Sequence, residues 1–257
     1  MQISIITINF NDYDGLKKTM NSVFEQTHDN IEYIVIDGGS NDKSVSFIEE
    51  HKNKLSYWSS EKDGGVYDAL NKGIDHAHGE YILFLNSGDY LVDTLVVQNF
   101  VSCKPVEDLV YGNTLIDDGE NQELLIMPNS MDAFTALTHT INHQSIFFKK
   151  RLFDDGSRYD LKYSIVADWV FVNNAIIKKH CTWKHIDLVI PVYDTNGISS
   201  DANLRGKERR KYLEENFDEA FLRKLDAHNL KNNKIQGKKR IKNIVMRVLR
   251  KMKKILK

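Results

Sequence analysis

Only two cysteines, Cys103 and Cys181, occur in the 257 residues. They stand far apart and lack the paired spacing of a metal knuckle. A disulfide framework or thiolate metal centre is therefore not expected, and a reducing compartment fits. Prolines are almost as scarce, at 105, 128 and 191, and no Pro-rich linker marks a boundary between folded domains. No apolar run approaches the roughly 20 residues that cross a bilayer. No basic stretch precedes the first apolar segment, so a secretory leader is not expected either. Acidic residues are missing from one region: residues 231–257 hold twelve Lys or Arg and no Asp or Glu.

What is present has the composition of a globular chain, 41% hydrophobic and 28% charged, with ample length to bury a core. The net charge of −1 conceals a split. Residues 1–230 carry all 36 acidic residues against 23 basic ones, so an acidic body precedes a tail of +12. Such a tail suits a polyanionic partner. Within it Ile241, Ile244, Val245, Val248, Leu249, Met252, Ile255 and Leu256 recur at helical spacing. The spacing predicts a basic amphipathic helix of the kind that lies on an anionic membrane surface; the plainer alternative is a helix docking its apolar stripe on the body. Nucleic acid is not an expected partner, because the tail lacks interleaved aromatics and the acidic body repels phosphates.

Along the body, Ile3 to Asn9 is a nearly continuous apolar run, as in a parallel strand buried on both faces. Helical spacing follows at Leu16, Met20, Val23 and Phe24. A second strand is predicted over Glu32–Asp37, a helix through Val45 and Ile48, a third strand over Leu55–Trp58, a helix over Val66–His76 and a fourth strand over Glu80–Leu85. This βα alternation predicts an open, mostly parallel twisted α/β sheet flanked by helices, with ligands outside the carboxyl ends of the strands. Asp37 and Asp89 both fall there. The second half is less regular: strands are predicted over Leu109–Gly112, Leu124–Met127, Ser145–Phe148 and Trp183–Tyr193, with helices over Val166–Ile177 and Asn203–His228.

Four blocks carry a resemblance. They are Ser4-Ile5-Ile6-Thr7-Ile8-Asn9-Phe10-Asn11; Ser22 to Thr27 with Glu32 to Asp42; Glu61-Lys62-Asp63-Gly64-Gly65-Val66-Tyr67-Asp68-Ala69-Leu70-Asn71-Lys72-Gly73; and Gly79 to Asp89, ending Asn86-Ser87-Gly88-Asp89. In order and spacing the chain resembles the family-2 inverting glycosyltransferases of GT-A fold, in a branch that builds bacterial surface polysaccharides. The resemblance spans about residues 1–200 and is strongest to about 90. It implies a GT-A domain over 1–200, with a nucleotide-binding half to about 100 and an acceptor half from about 101. A helical extension over 201–230 and the basic tail over 231–257 follow.

The implied reaction moves a hexose from a UDP-sugar, with UDP-glucose or UDP-galactose favoured, to a hydroxyl of a lipid-linked oligosaccharide in O-antigen or capsule assembly. The implied location is cytoplasmic, peripheral on the inner face of the membrane. Donor-binding residues implied are Thr7, Asn9, Asp37, Asp63, Asp68, Asn71, Lys72, Asn86 and Ser87. An Asp37 carboxylate at a strand end accepts uracil N3–H readily beside two glycines, and Asp68, Asn71 and Lys72 share a helix face. The bland alternatives are a turn cap and a solvated polar face. Asn86 departs from the family's DxD pattern, which loses one anionic ligand and leaves a Mn²⁺ or Mg²⁺ ion to Asp89.

Asp168 stands where the family carries its general base, with Ala167 replacing the usual preceding acid. Burial beside Trp169 is expected to raise its pKa, and His143 and Trp169 are the implied acceptor-side residues. Two other classes are weighed. A dinucleotide oxidoreductase needs a G-x-G-x-x-G loop after the first strand, and Asn11-Asp12-Tyr13-Asp14-Gly15 is not one. A non-catalytic, membrane-associated sugar- or nucleotide-binding module remains the alternative, because the DxD pattern is broken.

Overall fold

The computed structural model describes residues 1–117, 121–194 and 201–231. The chain divides into two compact units, Met1–Arg209 and Arg210–Lys257. The first opens β1 (Ile3–Asn9), α1 (Tyr13–Phe24), β2 (Ile31–Asp37), α2 (Ser44–His51), β3 (Tyr57–Ser60), α3 (Val66–Asp75) and β4 (Tyr81–Phe84). It continues β5 (Tyr90–Leu91), α4 (Val96–Ser102), β6 (Leu109–Asp117), β7 (Gln122–Leu125), α5 (Ala133–Thr138), β8 (Ile146–Lys149), α6 (Ala167–Ile177) and β9 (Trp183–Asp194). Helix α7 (Ala202–Asn216) begins in this unit.

The nine strands form one sheet in the order β3-β2-β1-β4-β8-β6-β9-β5, with β7 paired to β6. β3, β2, β1 and β4 run parallel. Beyond them β8 is antiparallel to both β4 and β6, while β6 and β9 are parallel. The fold is thus α/β, regular in its first half and mixed in its second. Register aligns Asn9 with Asp37 and Asp37 with Ser60, so three polar residues end three adjacent strands side by side.

Alternation along the strands sorts two cores. Ile3 and Ile5 join Leu16, Met20, Val35, Ile48, Leu83 and Phe100 on one face. On the other, Gly73 of α3 lies against Ile6, so close that a Cβ there would sit 2.4 Å from Ile6 Cγ2. Phe84, Phe148, Phe153, Tyr159 and Phe171 pack ring to ring, with centroids 4.8–6.2 Å apart. Each fully buried large apolar side chain contributes about 2 kcal/mol. These layers hold the carboxyl ends of β1 to β4 as a rigid rim.

Three strands shift by one or two residues from the sequence-based spans, β3 to Tyr57–Ser60, β7 to Gln122–Leu125 and β8 to Ile146–Lys149, and β6 runs five residues past its expected end to Asp117. Short α4, α5 and β5 carry too few residues to show a period. In the second unit, the rest of α7 is followed by a helix over 219–231 that Asp218 caps through Phe221 N–H. Arg210 joins the two by bonding Asp226 at 3.0 Å. Residues 195–200 and all of the basic tail beyond Lys231 lie outside the described residues.

Candidate active site

The strand order turns back at β1, whose two neighbours are β2 and β4, the point where open α/β sheets place a ligand crevice outside the carboxyl ends. On its β2 side Asp37 is fully buried. Asn9 Nδ2 donates to its Oδ1 at 2.7 Å and Ser40 Oγ at 2.6 Å. Its Oδ2 accepts from Ser40 N, Gly39 N and Ser60 Oγ. Burial alone raises the Asp37 pKa, but the bonds from Ser40, Ser60 and Asn9 hold it below the usual carboxylate value. These five donors occupy the carboxylate, so Asp37 knits the ends of three strands together.

Beside it Phe10 is 65% exposed. A Cβ on Gly38 would meet Asp63 Oδ2 at 2.7 Å and Phe10 Cδ2 at 3.2 Å. Glycine therefore leaves a shallow floor between an exposed ring and a carboxylate, which suits a flat heterocycle carrying N–H donors. Asp63 Oδ1 also accepts from Gly65 N, and Asp68 Oδ2 from Gly64 N. Lys72 Nζ reaches Glu61 at 3.0 Å and Asp68 at 3.8 Å on a half-open rim. Thr7 and Asn71 are not brought to the crevice. Thr7 is fully buried against Tyr33 OH, and Asn71 spends both ends of its amide on the backbone of Tyr159.

At the end of β4, Gly88 takes φ +94°, and Thr19 Oγ1 receives its N–H and donates to Asp89 C=O. Asn86 Oδ1 and Ser87 Oγ are buried without a hydrogen-bond partner, so both retain capacity for a ligand. Asp89 does not. It is 4% exposed, with Asp194 N donating to Oδ1 at 2.9 Å and Gln144 Nε2 to Oδ2 at 2.8 Å. Burial pushes its pKa up to about 7, against the pull of those two bonds.

A divalent cation needs anionic oxygens turned towards open space. Among the described residues no three His, Cys, Asp or Glu side chains gather as a metal group. Asp89 ties the end of β4 to β9 and the 143–145 turn, so a cation held by Asp89 and the donor's phosphates would share its oxygens with the Asp194 N–H and Gln144.

Across the crevice Asp168 stands in the first turn of α6, where the helix dipole favours its charge. The single Tyr67 hydroxyl proton is shared between Ile165 C=O at 2.6 Å and Asp168 Oδ1 at 2.9 Å, and His143 Nδ1 lies 3.2 Å from Oδ2. His143 Nε2 is 3.5 Å from Asn86 Nδ2. The ring therefore bridges Asn86 and Asp168, with one nitrogen facing each, and its Nδ1–H is the group that can be donated to Asp168. A chain thus runs from Asn86 at the β4 end through His143 to Asp168.

Burial raises the Asp168 pKa, but the bond and charge of His143, the Trp169 N–H and Tyr67 outweigh it, and the value lies below normal. This corrects the expectation of a raised pKa: the neighbour in sequence desolvates, while donors from elsewhere in the fold stabilise the anion. Tyr67 itself is pushed strongly up by burial and by Asp168, so it stays a donor. Trp169 is 4% exposed and lies beneath Arg209, so it supports the site from within.

Sequence reasoning missed Phe10, Tyr67 and Gln144 as site residues. Phe10 had a local signal, an aromatic between two asparagines just past a buried strand. Tyr67 and Gln144 act on carboxylates 101 and 55 residues away, which no local pattern reveals.

A parallel βα half ending in a polar crevice, faced by an ionised carboxylate on a helix from a mixed half, defines the GT-A class of glycosyltransferases. The chain belongs to glycosyl transferase family 2, whose family model matches residues 4–149. It is 38% identical over 204 residues to an uncharacterised glycosyltransferase of Mycobacterium tuberculosis, covering 77% of each chain. It is 30% identical over 201 residues to a PGL/p-HBAD biosynthesis glycosyltransferase of Mycobacterium bovis, covering 76% of this chain and 77% of that one.

Among solved structures it resembles S. aureus TarS in complex with UDP-GlcNAc, with TM-score 0.67, 16% identity, and 90% and 72% of the two chains covered. It also resembles a Pyrobaculum calidifontis mannosyltransferase in complex with GDP-Man and Mn²⁺, with TM-score 0.58, 16% identity, and 81% and 60% covered. At such identities these likenesses show the fold alone.

Proposed function

We propose that this glycosyltransferase moves a hexose from a UDP-sugar, UDP-glucose or UDP-galactose, to a hydroxyl of a lipid-linked saccharide with inversion at the anomeric carbon. The observation that carries the reading is the chain Asn86–His143–Asp168, which joins the end of β4 to an ionised carboxylate across the crevice. In the proposed reaction Asp168 takes the proton of the acceptor hydroxyl. The acceptor oxygen forms a bond to the anomeric carbon, and the bond from that carbon to the diphosphate breaks, UDP leaving with the electron pair.

Tyr67 and His143 aim the carboxylate and keep it charged at neutral pH. Phe10, Gly38 and Asp63 receive the base, while Asn86 and Ser87 offer free polar atoms to the ribose or phosphates. The complex of TarS with UDP-GlcNAc and the likeness to a PGL/p-HBAD biosynthesis glycosyltransferase support a nucleotide-sugar donor. Residues 231–257 support a peripheral place on an anionic membrane through their sequence. No helix among the described residues is long and apolar enough to cross a membrane.

The test is acceptor-dependent UDP release from a panel of UDP-sugars with a lipid-diphosphate-linked sugar. Asp168→Asn is expected to lower kcat about 10²–10⁴-fold while UDP affinity, measured by calorimetry, is retained. The product's anomeric coupling constant reads the stereochemistry. Full activity in the Asp168→Asn variant, or a retained anomeric configuration, would overturn the mechanism.

A further inference from the structure

The family match ends at residue 149, yet two side chains on α7 reach the Asp168 centre from outside it. Both belong to the Met1–Arg209 unit. Glu208 is 9% exposed. Its Oε1 accepts from Ser164 N at 2.8 Å, and its Oε2 from Ile165 N at 2.9 Å and Val166 N at 3.2 Å. These three successive amides lead directly into α6, whose N-cap, Val166, offers no side-chain acceptor. A carboxylate from another element thus does the work of the missing cap. Tyr67 OH also bonds Ile165 C=O at 2.6 Å, so the segment that Glu208 grips is also the one that sets Tyr67 against Asp168.

Arg209, the next residue, grips the other side. Its guanidinium carbon lies 4.9 Å from the Trp169 ring centroid, and Nη2 donates to Thr140 Oγ1 at 2.6 Å. Trp169 follows Asp168, and Thr140 precedes His143 by three residues. One guanidinium therefore spans both chain segments that deliver the Asp168–His143 pair. Burial lowers the Arg209 pKa, while the charge of Asp168 opposes that fall.

We infer that Glu208 and Arg209 form a clamp that positions Asp168 and His143 for proton transfer, making the middle of α7 part of the reaction centre. Neither residue touches substrate in this account; both act through Asp168. The inference rests on Asp168 being the base, but its geometric half is testable without turnover. A misplacement of about 1 Å at a reacting group costs about a hundredfold in rate. Glu208→Ala is therefore expected to lower kcat about a hundredfold with donor KM unchanged. Glu208→Gln keeps one acceptor oxygen and is expected to retain about tenfold more activity than the alanine variant.

Arg209→Met keeps apolar volume over Trp169 but removes the charge and the Thr140 bond. The groups facing Asp168 are His143, Tyr67, Tyr159, the Trp169 N–H and Arg209. Removing the one permanent cation among them raises the pKa of Asp168, so the acid limb of kcat moves to higher pH. The experiment is steady-state kinetics across pH on the full-length variants, joined to the low-field proton resonance of the His143 Nδ1–H shared with Asp168. That resonance is expected in the wild type and lost in Glu208→Ala and Arg209→Met.

Wild-type kcat, pH profile and resonance in the folded variants would overturn the clamp. Glu208→Gln and Arg209→Met decide the matter if Glu208→Ala does not fold. Absence of UDP-sugar turnover in the wild type, with the resonance still lost in the variants, would overturn the proposed reaction and leave the clamp standing.

Discussion

Asp37, Asp89 and Asp168 are three buried or half-buried carboxylates with three different fates, set by how many donors each one meets. Asp37 receives five and Asp168 is served by His143, Tyr67 and the Trp169 N–H, so both remain ionised. Asp89 receives two at near-complete burial, and its pKa rises to about 7. An acid whose folded pKa exceeds its unfolded value of 3.8 favours the native state below that value. The contribution is lost as pH rises towards 7. Replacing Asp89 by Asn removes the titration while Gln144 turns its carbonyl to the new amide. The Asn variant is expected to match the wild type in Tm near pH 4 and to exceed it by about 5 °C at pH 8. Parallel Tm–pH curves would contradict the assigned burial.

At the scale of elements, the contact between α3 and β1 controls the crevice, because α3 carries Tyr67 and β1 ends at Asn9. Gly73→Ala puts a methyl 2.4 Å from Ile6 Cγ2. Overpacking of this kind costs about 1–3 kcal/mol, read as a lower urea midpoint, and kcat should fall with it as Tyr67 moves. Gly206→Ala in α7 meets nothing within 4 Å and is expected to gain up to about 1 kcal/mol from helix propensity.

The same contrast explains what was legible in the sequence. The strands β1, β2 and β4 read clearly because they are buried on both faces and their apolar runs are unbroken. The antiparallel turn of the second half, and α4, α5 and β5, depend on pairing partners that no short period encodes. The pKa of Asp168 was misread from sequence: Trp169 is adjacent in the chain, whereas His143 and Tyr67 come from 25 and 101 residues away. Asn71 was read from its helix face, and its tie to Tyr159 needs the tertiary fold.

For the whole molecule, charge is divided between an acidic body and the basic segment 231–257. If that segment places the enzyme on an anionic surface, each basic residue contributes about 1 kcal/mol. Replacing Lys238, Lys239 and Arg240 by Gln should then weaken binding to phosphatidylserine vesicles about a hundredfold, with turnover of a soluble acceptor preserved. Equal sedimentation of both proteins with vesicles would remove the membrane from the account.

The contacts at the reaction centre also have a consequence during synthesis. Tyr67 and Asp168 are 101 residues apart, and Asp89 and the Asp194 amide 105. Such closures come late, since loop entropy must be overcome before the contact rewards it. A nascent chain that has already laid down β1 to β4 still lacks Asp168, the Asp194 brace on Asp89 and the two α7 side chains. The parallel half of the sheet therefore emerges from the ribosome first, and the contacts around Asp168 are complete only with the last fifth of the chain.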